Sequence, residues 1–299
     1  MKCSCLDIGS NTIKVSVFEK KGKHWTTVAY LGEQTGLIGY MEITEGKRYL
    51  SEEGVHALLS ALERLIDFSK NNNAEHLFAF ATASLRDVEN VEDIKTKVER
   101  KFGVCIDVLS GEEEALCSLR GLLSDEVCEG IKEGIMIDMG GGSCEVVHFV
   151  NGANPTIVSL SFGCLSLTNE YITYPPCKDQ TEKARGFVRS LLDECSFVRN
   201  LNCPVFLIGG TARAVEKLAF NIKSRNKKVL LLSDFENIFT KMCTDENVRN
   251  TAKKVIPKRV HTVTAGSSAY FELLKYISPS EIYVSESGVR EGYLERILL

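Results

Sequence analysis

The sequence predicts an α/β protein of two lobes that share one plan, and three observations lead to this prediction. The chain has 299 residues, a length that suits two domains of about 150 residues better than one. Each half is interpreted as three strands followed by alternating helices and strands, the pattern of an α/β fold. One short sequence pattern also occurs near the start of each half. We place the lobes at residues 1–122 and 123–299.

The first half shows hydrophobic residues that alternate over short segments and then recur every three or four positions. The first pattern predicts strands and the second predicts amphipathic helices. The predicted elements are, in order, strands at 2–9, 12–20 and 24–32, a helix from 51, a strand at 76–83, a helix at 91–102 ended by Gly103, a strand at 104–109 and a helix from 110.

The second half repeats this order after residue 131. The predicted elements are strands at 135–138, 144–150 and 156–160, helices near 165–171 and 181–195, a strand at 204–209 and a helix from 211. They continue with a helix at 265–276, a strand at 281–285 and a helix at 289–298. The segment 221–254 shows no single periodicity, and we assign it only as mixed helix and loop.

The repeat can be followed residue by residue. Asp7-Ile8-Gly9-Ser10-Asn11-Thr12 leads to Val15 and Phe18, and Asp138-Met139-Gly140-Gly141-Gly142-Ser143 leads to Val146 and Phe149. Aspartate, glycine, valine and phenylalanine therefore recur at a constant offset of 131. Each lobe opens with an acidic strand end and a tight polar hairpin, so we expect two phosphate-binding turns that face one cleft.

Composition excludes several classes of protein. The 11 cysteines are scattered without zinc-ligand spacing, which favours reduced core cysteines in a cytoplasmic protein. The net charge of −4 argues against nucleic-acid partners, and it requires local basic groups to meet any polyanionic ligand. We expect no signal peptide, because the apolar stretch at 1–7 is short and has no basic region. No apolar run is long enough to cross a bilayer, so we expect a soluble protein without a membrane partner.

The turn at 138–143 is the strongest local signal for chemistry. Three consecutive glycines leave backbone amides unobstructed, as an anion-binding turn requires. Ser143 adds a hydroxyl, and Asp138 stands at a strand end where it could hold Mg²⁺ directly or through water. The turn lacks the Lys-Ser/Thr of a P-loop, and a strand follows it where a dinucleotide-binding motif has a helix. The alternative is a glycine-rich hairpin without a ligand.

Three further segments are weaker signals. Gly209-Gly210-Thr211 joins a strand to a helix that Thr211 could cap, and a helix N-terminus can bind an anion, although such joints are common. Ser110 and Glu113 fit a capping box, which leaves Glu114 as a carboxylate without a structural assignment. Arg86 follows a strand, a position where an arginine is usually at the surface. The basic cluster at 253–259 is typical of a solvated face, and the five histidines show no ligand spacing.

In order along the chain, these segments resemble the exopolyphosphatase/guanosine pentaphosphate phosphohydrolase (Ppx/GppA) family. The motifs that carry the resemblance are Asp7 to Asn11, Ala81-Thr82-Ala83 with Arg86, Ser110-Gly111 leading to Glu113-Glu114-Ala115, Asp138 to Ser143 with Glu145, Gly209-Gly210-Thr211, and Arg290-Glu291-Gly292. The length fits the short, two-domain form. The resemblance implies the actin-like ATPase fold, in which two ribonuclease-H-like lobes surround a central cleft.

The resemblance also implies site residues and cofactors. Glu114 is similar to the family's catalytic base, and Asp138 and Glu145 resemble its metal and water-positioning carboxylates, to which we add Asp7 as a metal ligand. Mg²⁺ or Mn²⁺ is the implied cofactor, and a homodimer is expected. The implied phosphate contacts are Gly9, Ser10, Asn11, Thr12, Arg86, Gly140, Gly141, Gly142, Ser143, Gly209, Gly210 and Thr211.

Four positions depart from the family's usual pattern. Thr12 and Lys14 stand where serine and a basic residue, often arginine, are common, and Glu286 replaces an aspartate. His261 stands where an aspartate often follows the arginine that is here Arg259.

We expect release of orthophosphate from the end of inorganic polyphosphate, with Glu114 as general base and Mg²⁺ assistance. The alternatives are hydrolysis of guanosine pentaphosphate (pppGpp), a non-catalytic sensor of polyphosphate or alarmone, and an actin-like kinase that acts on a small molecule.

Overall fold

The computed structural model describes residues 1–21, 24–223 and 229–298. By its internal contacts the chain divides into two compact units. The first comprises Met1–Glu114 with the residues from Tyr293 onward, and the second comprises Ala115–Gly292. This division differs in two respects from the predicted lobes at 1–122 and 123–299. The boundary comes eight residues earlier, and the end of the last helix belongs to the first unit.

The first unit is built on a five-stranded sheet. Its strands are β1 (Lys2–Ile8), β2 (Thr12–Lys21), β3 (His24–Gln34), β6 (His76–Ala81) and β7 (Ile106–Val108), and β4 (Met41–Thr44) pairs with β5 (Lys47–Leu50) in a separate hairpin. The sheet order is β3-β2-β1-β6-β7. The first three strands are antiparallel, whereas β6 and β7 run parallel to β1.

The helices of the first unit begin and end close to the predicted residues. They are α1 (Glu52–Asn71), α2 (Val91–Phe102) and the start of α3 (Gly111–Leu123), with a 3-10 helix at Leu37–Tyr40. The Ser51 hydroxyl caps α1 by accepting from the Gly54 amide, and Gly103 ends α2 in the left-handed conformation at φ 68°. The 3-10 helix and the β4–β5 hairpin were not predicted.

The second unit repeats this sheet. Its strands are β8 (Glu133–Met139), β9 (Cys144–Val150), β10 (Thr156–Leu160), β11 (Val205–Ile208) and β12 (Ile282–Val284). Their order is β10-β9-β8-β11-β12, with three antiparallel strands followed by two parallel ones. This order and these directions match the first sheet strand for strand. The predicted fold class, an α/β protein of two ribonuclease-H-like units, is therefore confirmed.

Seven α-helices follow α3 among the described residues: α4 (Cys164–Tyr171), α5 (Lys178–Ser190), α6 (Gly210–Lys223), α7 (Leu232–Thr244), α8 (Glu246–Val255), α9 (Val263–Ile277) and α10 (Val289–Leu298). Two 3-10 helices, Glu126–Cys128 and Leu192–Val198, also lie in the second unit. In the segment 221–254, assigned from the sequence as mixed helix and loop, α7 and α8 follow the end of α6, and residues 224–228 lie outside the described part. None of the helices described is long and apolar enough to cross a membrane.

The end of α10 completes the core of the first unit. Tyr293 is 2% exposed, and its ring lies 4.7 Å from that of Phe80 between centroids. Its hydroxyl donates to Asp107 at 2.5 Å. The first unit therefore depends on residues that lie far from it in the sequence.

The cysteines follow the composition-based expectation. None of the 11 forms a disulfide, and eight are buried. Burial raises the pKa of the Cys128, Cys195 and Cys203 thiols to about 11. These three thiols are protonated near neutral pH and act as small apolar groups.

Candidate active site

In the first unit, the turn after β1 is held from one side by the segment that leads into the 3-10 helix. The amide of Gly36 donates to the carbonyl of Asn11 at 2.9 Å, and that of Ile38 donates to the carbonyl of Ser10 at 3.0 Å. In a planar trans peptide the carbonyl and the following amide point in opposite directions. The amides of Asn11 and Thr12 are therefore directed away from this segment.

The turn of the second unit is held in the same way by the start of α4. The amide of Cys164 donates to the carbonyl of Gly140 at 3.1 Å, and that of Leu165 donates to the carbonyl of Gly141 at 3.0 Å. These bonds satisfy amides that a helix start leaves without an internal partner. By the same peptide geometry, the amides of Gly141 and Gly142 are directed away from α4.

The two turns share one hydrogen-bonded position. Ser10 and Gly141 are related by the offset of 131, and the carbonyl of each accepts from the amide of a following helical segment. The repeat seen in the sequence thus extends to the hydrogen bonds that orient each turn. Both turns present backbone amides in the manner of an anion-binding site.

The charged residues on the two strands that flank each turn differ between the units. In the first unit Asp7 is opposite Lys14 across β1 and β2, and the Lys14 ammonium lies 3.2 Å from the Asp7 carboxylate. The corresponding pair of the second unit is Asp138 opposite Glu145 across β8 and β9. A lysine at one position of the repeat is thus replaced by a second carboxylate at the other.

Serine hydroxyls hold the carboxylates of the second unit. Ser118 on α3 donates to Asp138 Oδ2 at 2.6 Å, and Ser159 on β10 donates to Glu145 Oε1 at 2.9 Å. Asp138 is half-buried, and Glu145 is 1% exposed. Like charges directly opposite each other on a sheet repel, so this pair favours a bound cation.

Arg86 and Glu114, 28 residues apart in sequence, form an ion pair in the first unit. Arg86 Nη2 donates to Glu114 Oε2 at 2.5 Å, and Arg86 Nε donates to the carbonyl of Leu109 at 3.0 Å. The side chains are 21% and 14% exposed, respectively. A partly buried guanidinium and a carboxylate are thus placed side by side.

Glu113 has the structural role that its spacing predicted. Its carboxylate accepts from the Ser110 amide at 3.0 Å, while its own amide donates to the Ser110 hydroxyl at 3.1 Å. The hydrogen bond from the Ser110 amide, with a smaller contribution from Arg296, lowers the pKa of Glu113. The capping box is confirmed.

The segment Gly209-Gly210-Thr211 requires one correction. The helix α6 begins at Gly210, so Thr211 lies inside the first turn and does not cap the helix. The Thr211 side chain is 1% exposed and packs against Gly266. Its hydroxyl has no hydrogen-bond partner among the residues that the structure describes. Because the Thr211 side chain is buried, we expect Thr211 to contact a phosphate only through its backbone amide.

Arg259 covers the start of α6, and sequence reasoning did not assign it a role. A Cβ atom built on Gly210 would come 2.5 Å from Arg259 Nη2, and Arg259 Nη1 lies 3.7 Å from Cys164 Sγ. Ser118 and Ser159 were missed as well. The four-residue spacing from Glu114 to Ser118 was a usable signal, whereas no local pattern indicates Ser159 or Arg259.

The carboxylates suit a divalent cation that is completed by other ligands. Over the described ranges, no three His, Cys, Asp or Glu side chains come close enough together to form a metal site by themselves. Mg²⁺ usually takes one or two carboxylates and completes its shell with waters and substrate phosphates. The oxygen donors of Asp138 and Glu145 fit this pattern. The Asp7 carboxylate already faces the Lys14 ammonium, so we keep the metal assignment for the second unit.

The two sheets and their helices define a protein of the actin-like ATPase fold. A profile of the Ppx/GppA phosphatase family matches residues 16–299, and the chain therefore belongs to that family. Among solved structures, a Ppx/GppA family member from Aquifex aeolicus superposes with a TM-score of 0.79 and 22% identity. That comparison covers 100% of this chain and 98% of the other.

Other similar proteins have more specific names. An exopolyphosphatase from Cytophaga hutchinsonii superposes with a TM-score of 0.83 at 19% identity and covers 100% of this chain and 98% of its own. Exopolyphosphatase 1 of Mycobacterium bovis is 28% identical over 100% of this chain and 88% of that protein. A guanosine-5'-triphosphate,3'-diphosphate pyrophosphatase of Pseudoalteromonas translucida is 29% identical, but over 58% of this chain and 33% of that protein.

Proposed function

We propose that the protein is an exopolyphosphatase, which hydrolyses the terminal phosphoanhydride of inorganic polyphosphate and releases orthophosphate. The observation that carries this proposal is the Arg86–Glu114 pair at 2.5 Å, because it joins a phosphate-binding group to a base. The full-length similarity to exopolyphosphatase 1 favours polyphosphate over pppGpp, since the pyrophosphatase relative matches only 58% of the chain. Hydrolysis of pppGpp remains the second candidate.

The Arg86–Glu114 ion pair would couple phosphate binding to the activation of Glu114 as the base. A terminal phosphate competes with Glu114 for the Arg86 guanidinium, because both are anions that an arginine binds bidentately. When Arg86 turns to the phosphate, the Glu114 carboxylate loses this ion pair and becomes a stronger base beside the phosphate. Glu114 then accepts a proton from water as the water oxygen bonds to phosphorus and the bridging P–O bond breaks.

Backbone amides stabilise the charge of the phosphoryl group. Within each unit the outward amides would bind phosphate oxygens: those of Asn11 and Thr12 in the first unit, and those of Gly141 and Gly142 in the second. Preorganised amides are effective because they need no reorientation as charge develops. The hydrogen bonds to the turn carbonyls provide that preorganisation.

Asp138 and Glu145 would hold Mg²⁺ or Mn²⁺. When bound, the cation would neutralise the negative charge of the substrate phosphates. The repeat supports this assignment: the first unit carries the Lys14 ammonium beside Asp7, whereas the second has Glu145 at the corresponding position, which adds a second carboxylate ligand for a cation.

A phosphate-release assay on three substrates tests the proposal. We expect turnover of long-chain polyphosphate that is lost in excess EDTA and restored by Mg²⁺, with little turnover of p-nitrophenyl phosphate, which has no anhydride. A kcat/KM at least tenfold higher for pppGpp would make the second candidate the function. Binding without phosphate release would identify a sensor, and transfer to an added acceptor would identify a kinase.

Three expectations complete the proposal. We propose a cytoplasmic protein, from the free cysteines and the composition, and one that needs no nucleic acid, from the net charge of −4. We also propose a homodimer, which would gather basic groups along a chain-like anion.

A further inference from the structure

A group of cationic and aromatic side chains surrounds Tyr174 in the second unit. Tyr174 lies in the loop after α4, where its ring contacts residues from two other segments. The Lys253 ammonium, from the last turn of α8, lies over this ring at 5.8 Å from the centroid. The His261 ring, from the loop before α9, meets it edge-on with centroids 4.8 Å apart. Three separate segments thus converge on one ring.

Basic residues also extend from this group to the start of α6. Arg259 lies against Gly210, and His261 follows it by two residues. The segment 253–261 carries four lysine or arginine residues and no acidic residue. Charges of one sign therefore extend from the predicted phosphate contact at 209–211 to Lys253.

Carboxylates do not neutralise the cationic side chains of this group. Within the parts of the chain that are described, no ion pair joins Lys253, Arg259 or His261 to a carboxylate, whereas Arg86 pairs with Glu114 and Arg185 with Glu272. A protein of net charge −4 gains little from leaving such cations together unless a polyanion binds them.

A simpler role accounts for only part of the group. Lysines in the last turn of a helix interact favourably with its dipole, and both Lys253 and Lys254 benefit in this way. Only Lys253 is directed onto Tyr174. The contact fixes its ammonium in place, which lowers the entropy that a ligand would otherwise lose on binding it.

We propose that Lys253, His261 and Tyr174 form a binding surface for phosphoryl groups that lie beyond the terminal ones of a polyphosphate chain. This inference rests on the proposed exopolyphosphatase function and extends it to chain length. The Lys253 ammonium occupies the face of the Tyr174 ring on which a guanine would stack, so the arrangement favours phosphates over a nucleobase. A chain long enough to reach this surface gains contacts that tripolyphosphate lacks.

The experiment compares Lys253→Glu with Lys254→Glu, a matched control with the same charge change one residue away. In wild type and both variants, KM is measured for long-chain polyphosphate and for tripolyphosphate. We expect Lys253→Glu to raise the ratio of the long-chain to the tripolyphosphate KM by about tenfold, the size expected for reversing one exposed charge contact. Lys254→Glu should leave this ratio within about twofold, and His261→Asp should raise it as Lys253→Glu does.

A second readout separates this inference from the proposed function. Binding of long-chain polyphosphate is measured by titration calorimetry with each change placed in a Glu114→Gln background, which limits turnover. A selective loss of affinity with Lys253→Glu supports the surface even if the wild type hydrolyses no polyphosphate. Equal affinities and equal KM ratios for the two lysine variants would overturn the inference while the hydrolase assignment stands. Selective loss of pppGpp binding would instead indicate a nucleotide surface and would also overturn it.

Discussion

Glu113 and Glu114 are neighbours in sequence with different contacts. Glu113 closes the capping box of α3 with Ser110, whereas Glu114 is paired with Arg86. A side chain bound into a cap serves stability, and a carboxylate held by an arginine can be exchanged for another anion. The pair therefore offers a test of the proposed base with its control one residue away.

We expect Glu114→Gln to lower kcat by about 10²–10⁴-fold, because glutamine keeps the shape but cannot accept the proton of the attacking water. Substrate binding should persist, since Arg86 no longer has a competing carboxylate. Steady-state kinetics with polyphosphate measures both effects.

Glu113→Gln is the control for this change. It should cost about 1 kcal/mol of unfolding free energy and leave kcat within about twofold. If Glu113→Gln abolishes turnover while Glu114→Gln does not, the base is assigned to the wrong residue.

For single residues, the sequence indicated which side chains belong to the site better than it indicated which of them contact each other. The spacing of Ser110 and Glu113 predicted their contact because a capping box is local. The Arg86–Glu114 pair joins positions 28 residues apart, and Ser159 reaches Glu145 through strand register. Such pairings depend on tertiary structure that no local spacing encodes.

The turn and the helix that holds it form the element on which the proposed phosphate binding depends in the second unit. A Cβ atom at Gly163 would overlap the carbonyl of Gly141, where α4 meets the turn. Gly142, by contrast, has no atom within 4 Å of an added Cβ. Substitutions at these two glycines therefore test packing and ligand contact separately.

We expect Gly163→Ala to lower the free energy of unfolding by about 1–3 kcal/mol, the usual cost of inserting a methyl group into a packed contact. Gly142→Ala should leave stability within about 1 kcal/mol but raise KM, because its methyl group would stand where the phosphate approaches. Urea unfolding and kinetics on both variants check this. An unchanged KM for Gly142→Ala would show that the Gly142 amide does not contact the substrate.

The loop before α10 is held by one carboxylate. Burial raises the pKa of Asp125, but hydrogen bonds from the Ser285 hydroxyl and from the amides of Val127, Ser287 and Glu286 outweigh it and lower the pKa below its usual value. A lowered folded-state pKa contributes stability above the unfolded pKa of about 3.9, and that contribution is lost as pH falls through the folded value.

Asp125→Asn should therefore destabilise the protein by about 1–3 kcal/mol at pH 7. The difference from wild type should narrow as pH falls below about 4. Chemical denaturation at several pH values measures it. Glu126→Gln, at the exposed neighbouring position, should change stability by less than about 0.5 kcal/mol throughout, and a gap for Asp125→Asn that is independent of pH would contradict the explanation.

Most elements of the fold were predicted because burial imposes a clear period on their sequences. The β4–β5 hairpin was missed because its strands are largely exposed, including Ile43 at 76%, so they show no apolar alternation. Its turn, Glu45-Gly46, has positive φ at both residues but lacks the Asn-Gly signal. The helix α7 had a readable period in Phe235, Ile238, Phe239 and Met242, all buried, which the assignment of mixed helix and loop overlooked.

For the whole molecule, the repeat is the most informative feature of the sequence. The repeat relates two sheets of equal strand order, two turns that share a hydrogen bond at Ser10 and Gly141 and two strand pairs of different charge. The shared positions specify the scaffold, whereas Glu145 places a carboxylate where the first unit has the Lys14 ammonium. The division of the chain was harder to predict, because only tertiary contacts assign the end of α10 to the first unit.

The place of Tyr293 has a consequence for synthesis on the ribosome. After Glu114 leaves the ribosome, about 180 further residues must be added before Tyr293 follows, which takes on the order of 10–40 s at bacterial and eukaryotic elongation rates. Throughout that interval the nascent first unit lacks the ring that covers Phe80 and the hydroxyl that binds Asp107. The part of the protein made first is therefore among the last to reach its final fold, and chaperones would meet it with this site still open.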